Sequence, residues 1–216
     1  MPAKQFAVLG LGRFGASVGR VLSEMGYEVL GVDSDEDKVN DMSSLLTHVV
    51  VADGTDEAAL QSLGIRNFDC VVVAVGDLQA SILMTVVLKE MGVKEVVAKA
   101  ISDVHGRVLT KVGADRVVFP EREMGARVAQ NLASANVIDF IELAPDYSIA
   151  EISASGTLVG KSLRQLSLRQ RFGVNVVAIK SGENINVSPK ADDVIQEHDI
   201  LVVIGENQCI RHLERQ

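Results

Sequence analysis

From Gln5 to Pro120 the chain alternates short runs of β-branched and aliphatic residues with longer amphipathic runs, the pattern of βαβ units on a parallel sheet. It predicts strands over residues 6–9, 28–32, 48–52, 70–75, 95–100 and 116–119, with helices over 15–24, 36–43, 57–63, 79–91 and 104–112. Several helices open on a polar residue and stop at glycine, as from Asp56 to Gly64. After Pro120 one long amphipathic run, 124–142, carries Val128, Leu132, Val137, Phe140 and Ile141 toward one face. It predicts a connecting helix, with a break near 134–136, and Ala144-Pro145-Asp146 reads as a linker. Beyond it the pattern predicts strands over 148–152, 175–179, 185–188 and 200–204 and a helix over 162–169. The expected organisation is α/β: a doubly wound parallel-sheet domain in 1–123, a connecting helix in 124–143 and a small α+β subdomain in 144–216.

Composition narrows the class. Hydrophobic residues make up 47% of the 216, aromatics only 4% with no Trp, so the core is aliphatic and strand-built. A net charge of −8 is opposite to the footprint of a phosphate-backbone binder and argues against nucleic acid as a partner. Cys70 and Cys209 form no CxxC, which implies neither a disulfide framework nor a zinc site. The longest apolar stretch without a formal charge, 78–88, has 11 residues, short of the roughly 18 that cross a bilayer. The amino-terminal residues lead into a strand without a signal-peptide core, and a cytoplasmic location is expected.

The strongest chemical signal is Gly10-Leu11-Gly12-Arg13-Phe14-Gly15, at the end of the first strand and the start of the first helix. Gly10 permits the tight turn, Gly12 lets a pyrophosphate approach the backbone, and Gly15 lets helix and strand pack closely. Phosphates then sit on the helix N-terminus, where free N–H groups and the dipole favour anions. Asp33, 18 residues after Gly15 and followed by Ser34, ends the second strand where a carboxylate accepts from ribose hydroxyls. Strand, glycines, helix, second strand and acid in this order mark a Rossmann-type nucleotide site. An acid at Asp33 disfavours a ribose 2′-phosphate, and hence NADP. Arg13 suits phosphate charge beyond that of a dinucleotide, as in ATP or ADP, unless it is a plain surface residue.

Asp53 and Gly54 follow the third strand, and Ala74 to Gly76 end the fourth, on the carboxyl edge where open α/β sheets bind ligands. For Asp53 a turn or cap role is an equal alternative. Lys99 and Glu121 fall on the same edge, where Lys99 can neutralise a phosphate and Glu121 can bind a cation; an exposed ion pair is the ordinary explanation of either. Catalytic constellations are missing. His48, His105, His198 and His212 show no metal-binding spacing, with only His105 near the ligand edge, and there is no GxSxG or Walker sequence. An NAD-dependent oxidoreductase, the competing class, needs an acid or base beside the nicotinamide, and a second domain of roughly 70 residues with one Tyr, Tyr147, and no recognisable acid–base pair argues against it; a sensor of another pathway sharing the nucleotide fold is the third class.

Phe6 to Gly15, with Gly31-Val32-Asp33, Ala52-Asp53-Gly54-Thr55-Asp56, Gln79-Ala80-Ser81-Ile82-Leu83 and Gly113-Ala114-Asp115-Arg116 before Pro120-Glu121, closely resembles the RCK proteins that regulate bacterial potassium uptake, within them the cytosolic regulatory subunits of Ktr-type systems. The second half, Gly160-Lys161-Ser162-Leu163 through 175–179 to 199–205, is similar to the family's C-terminal RCK subdomain. The resemblance implies a non-enzymatic regulatory subunit in an octameric ring of dimers, docked at the cytoplasmic face of a membrane potassium translocator. ATP would activate it and ADP inactivate it, with NAD or NADH as the alternative ligand. By position it implies that Arg13 contacts the terminal phosphate, Asp33 holds ribose, Lys99 and His105 lie near the nucleotide, and Glu121 helps bind Na⁺ or Mg²⁺. It further implies a cyclic di-AMP site between protomers at Leu163, Arg169, Asn175, Val176 and Pro189. The apolar positions Leu163, Leu166, Val174 and Val176 are expected to bury surface against a second copy.

Overall fold

The computed structural model describes residues 4–133 and 137–214, and the chain divides into two compact units, 1–123 and 124–216. In the first, six parallel strands, β1 (Gln5–Leu9), β2 (Glu28–Asp33), β3 (His48–Val51), β4 (Cys70–Val73), β5 (Val96–Lys99) and β6 (Arg116–Val118), lie in the order β3-β2-β1-β4-β5-β6. The helices between them are α1 (Arg13–Glu24), α2 (Glu36–Met42), α3 (Glu57–Ser62), α4 (Leu78–Glu90) and α5 (Asp103–Lys111). Strand residues alternate between two cores. Ala7, Leu9, Leu30, Val32, Val71 and Val73 enter one apolar cluster, whereas Val8, Val29, Cys70 and Val72 enter another, so both faces of the sheet are covered as a parallel sheet requires. Strand order reverses between β1 and β4, which opens a crevice at their carboxyl ends.

The second unit is built on an antiparallel sheet in the order β10-β9-β11-β8-β7, with β7 (Val137–Ala144), β8 (Tyr147–Ser153), β9 (Asn175–Ser181), β10 (Asn184–Asn186) and β11 (Ile200–Glu206). Short helices α7 (Leu163–Leu166) and α8 (Leu168–Phe172) and the terminal α9 (Asn207–Glu214) complete a core of Ile152, Leu166, Val174, Ile195, Leu201, Ile210 and Leu213.

Three expectations need correction here. The run 124–142 is not one helix: α6 spans Pro120–Ala133, and the rest is β7, hydrogen-bonded to β8. The break expected at 134–136 lies outside the described residues. Pro145 and Asp146 form the tight turn of the β7–β8 hairpin, so Ala144-Pro145-Asp146 is no linker. The expected helix 162–169 is two, separated by Ser167 with φ of 45°. Leu166 and Val174 are buried inside this unit and form no external edge.

Candidate functional site

Four of the five crossover helices of the first unit have a side-chain N-cap: Asp35 on α2, Asp56 on α3, Asp77 on α4 and Ser102 on α5. The exception is α1, which begins at Gly12 with no side-chain cap and no acid in its first turn. Its first N–H groups are therefore the ones left for a ligand, at the positive end of the helix dipole.

The three glycines have separate causes. Gly10 adopts φ of 95°, which an L side chain resists, and a Cβ there would lie 2.8 Å from Val75 Cγ1. A Cβ on Gly15 would lie 1.8 Å from the carbonyl oxygen of Gly10, so helix and loop touch backbone to backbone. A Cβ on Gly12 would meet no protein atom within 4 Å; what requires glycine there is an approach from outside. This uncapped terminus above an open glycine is a cradle that could hold a nucleotide's phosphates.

Asp33 is placed to shape that loop. Its side chain is 9% exposed; Oδ2 accepts the Leu11 N–H at 2.7 Å and Oδ1 accepts the Asp35 N–H at 3.0 Å, with Lys38 Nζ 3.5 Å away. The carboxylate thus ties the end of β2 to the glycine loop, and Ser34 lies exposed in the following turn. Asp33→Asn keeps the size but sets an amide against one of two donors. It should destabilise the first unit by about 1–2 kcal/mol and weaken ATP and ADP by equal factors, read from unfolding midpoints and titration calorimetry. Unequal factors would separate Asp33 from the shared ribose.

Along the same edge Asp53 is exposed and folded into its own turn: Oδ1 accepts the N–H of Thr55 at 2.8 Å and its hydroxyl at 2.7 Å, which hold the carboxyl below its usual range. Gly54 packs under Met84, Ala74 is buried beneath the loop, and Gly76 is exposed with open space at its Cβ position. Lys99, at the end of β5, has a side chain 12% exposed, pairs with Glu121 in the first turn of α6, and lies 6.0 Å from the centre of the Phe14 ring. That hydrogen bond first, and the Arg13 charge last, lower the Glu121 carboxyl. Arg13 itself is exposed and makes no ion pair among the described residues.

His105 is placed otherwise than expected. It is 1% exposed and faces the equally buried Ser81. The Ser81 hydroxyl donates to Leu78 O at 2.9 Å, so it receives Nε2–H of His105 at 2.9 Å, which leaves Nδ1 to accept the Ile101 N–H at 3.3 Å. Both ring nitrogens are thus engaged within the protein. Desolvation lowers the His105 pKa. Because the unfolded chain binds this proton more readily, His105 contributes stability that is complete above about pH 6.5 and is lost as pH falls below it. A thermal melt series from pH 5 to 8 should show that loss in the native chain and a flatter curve in His105→Gln.

In the second unit Leu163, Arg169, Asn175 and Val176 line one pocket of about 360 Å³ with Arg164, Ser167 and Leu168; Pro189 is not among its lining residues. Arg164 is committed to Asp192 through two hydrogen bonds, at 2.8 and 3.2 Å, whereas Arg169 is exposed with no ion pair among the described residues. No group of three or more His, Cys, Asp or Glu among the described residues could hold a metal. A cation at Glu121 would therefore need further ligands of another kind, such as carbonyl, phosphate or water oxygens.

The TrkA-N domain family matches residues 6–120 and the TrkA-C domain family residues 148–216. The chain belongs to the TrkA-N family. This TrkA-N protein is 50% identical over 213 residues to Ktr system potassium uptake protein C of Bacillus subtilis (strain 168), covering 98% of this chain and 96% of that one. It is 46% identical over 214 residues to Ktr system potassium uptake protein A of the same organism, covering 99% and 96%. The likeness to Ktr-type proteins read from the residues therefore holds along nearly the whole length. In fold the TrkA-N protein matches a crystal structure of the GsuK RCK domain, with a TM-score of 0.70 at 20% identity over 99% of this chain, spanning just under half of that chain (47%). Among the described residues no helix is long and apolar enough to cross a membrane.

Proposed function

We propose that the chain is the regulatory subunit of a Ktr-type potassium uptake system, held at the cytoplasmic face of the membrane by its translocator, which it gates according to whether ATP or ADP occupies the α1 terminus. The observation that carries the reading is the uncapped α1 terminus over Gly12, with Arg13 beside it, in a chain half identical to a potassium uptake protein. Gating needs no hydrolysis: if the two nucleotides favour different ring shapes, their differential affinity does the switching. The proposal includes an octameric ring of dimers, Na⁺ or Mg²⁺ at Glu121 and cyclic di-AMP in the Arg169 pocket.

Thermal shift of the purified chain with ATP, ADP, NAD and NADH ranks the ligands, since one at about 100 times its Kd adds roughly 2.7 kcal/mol. ATP and ADP should lead; a decisive lead for NADH would return the dinucleotide reading, and light scattering should give an eight-copy mass. Arg13→Ala should weaken ATP about tenfold and ADP by less than threefold, because the guanidinium serves the longer phosphate chain. Equal losses would assign Arg13 to the shared phosphates.

A further inference from the structure

Lys99 is an unusual cation for a surface site. Its side chain is nearly buried, and among the described residues its one ion-pair partner is Glu121, a side chain 68% exposed. The ammonium also lies near Phe14, within the first turn of α1, so the buried end of the pair borders the cradle just described. Glu121 sits in the first turn of α6, and besides Lys99 its carboxyl is served by its own backbone N–H and, more weakly, by the Arg13 charge. An exposed carboxylate thus covers a nearly buried cation at the place where a ligand's negative charge would arrive.

We propose that Glu121 is a built-in counter-anion, which neutralises Lys99 until the terminal phosphate of a bound nucleotide takes over that ammonium and displaces the carboxylate. The inference rests on the nucleotide reading of the site. Its physical basis is that a poorly solvated ammonium keeps a partner at all times, and an oxyanion of higher charge replaces one of lower charge. The exchange has a direction. Phosphate and carboxylate cannot both sit against Lys99 without repelling each other, so Glu121 costs the nucleotide affinity, more for the longer phosphate chain that reaches it. Once displaced, the carboxylate is free to accept a cation, which makes a cation effect on nucleotide affinity a consequence of the exchange. The first turn of α6 is released in the same event.

The test is nucleotide titration calorimetry on the full chain with a chelator present, comparing the native protein with Glu121→Gln, Lys99→Met and the double variant. Glu121→Gln keeps the side-chain size on an exposed position, and unfolding midpoints check each variant. With no divalent cation, Glu121→Gln should bind ATP about fivefold tighter than the native chain, the size expected of one exposed ion pair, and ADP less than twofold tighter. In the Lys99→Met background the same change should alter ATP affinity by less than twofold, because there is no ammonium left to compete for. Unchanged or weaker ATP binding by Glu121→Gln overturns the proposal, as does an equal tightening with and without Lys99, which would reduce Glu121 to long-range repulsion. A native chain that binds no adenine nucleotide overturns the nucleotide reading itself, a separate result.

Discussion

Gly15→Ala should lower the unfolding midpoint of the first unit by roughly 10 °C and abolish nucleotide binding, whereas Gly12→Ala should leave the fold nearly intact and lose the nucleotide alone. The added methyl of Gly15→Ala would lie 1.8 Å from the Gly10 carbonyl oxygen, a backbone atom that cannot turn aside as a side-chain tip can. Relief means prising α1 away from the loop, at about 3 kcal/mol, the upper end of overpacking costs. At Gly12 the same methyl meets open space and an ordinary backbone conformation. The loss of stability there is only about 0.5 kcal/mol, alanine being the poorer N-cap. What the methyl at Gly12 does is occupy the ligand's side of the helix terminus, lengthening several charge-assisted hydrogen bonds at once, for a loss of more than about tenfold in affinity for ATP and ADP alike. Calorimetry and thermal melts on the two variants separate a glycine kept for the fold from one kept for the ligand. Native affinity in Gly12→Ala would remove the phosphates from that terminus.

Arg169→Ala should reduce cyclic di-AMP affinity by about 100-fold or more without changing fold or assembly. Of the two arginines lining the pocket, Arg164 already pairs with Asp192 through Nε and Nη2, whereas Arg169 has no ion pair among the described residues and is the one left to meet a phosphate. A symmetric ligand between two copies would take one phosphate per guanidinium, so a single substitution removes two charge-assisted contacts at about 1.5–3 kcal/mol each. Calorimetry on the native chain and the variant, with light scattering on both, reads the effect. Native affinity in Arg169→Ala would place the ligand elsewhere.

The first unit was legible because its punctuation is strong. Five of the six strands there are short apolar runs followed within a few residues by glycine or a polar cap, and Asp35, Asp56, Asp77 and Ser102 cap the helices they precede. The glycine turn was legible too, since the positive φ of Gly10 and the close approach at Gly15 follow from glycine spacing. Strand β7 was missed for the opposite reason. No glycine or proline interrupts 126–144, and exposed Ile138, Ile141 and Leu143 accompany half-buried Phe140, so polar and apolar positions do not alternate and a helical face is drawn as easily as a strand. Helix α9 follows β11 with no intervening turn residue, and its apolar contacts, Ile210 and Leu213, belong to a core whose partners are distant in sequence. Ser167 breaks the expected helix by a conformation that serine seldom takes, which no local signal announces. His105 stood at the correct edge by position, but only the packing of α4 against α5 turns it inward to Ser81.

The hydrogen bond from the Leu11 N–H to Asp33 joins residues 22 apart and is made by the chain's own groups. A glycine loop pinned by such a contact has little chain entropy left to lose when a ligand settles on it. Nucleotides that share a ribose, if they bind there as proposed, should then arrive at similar rates. What would distinguish them is how long each stays, so the terminal phosphate should write its message in dissociation rates.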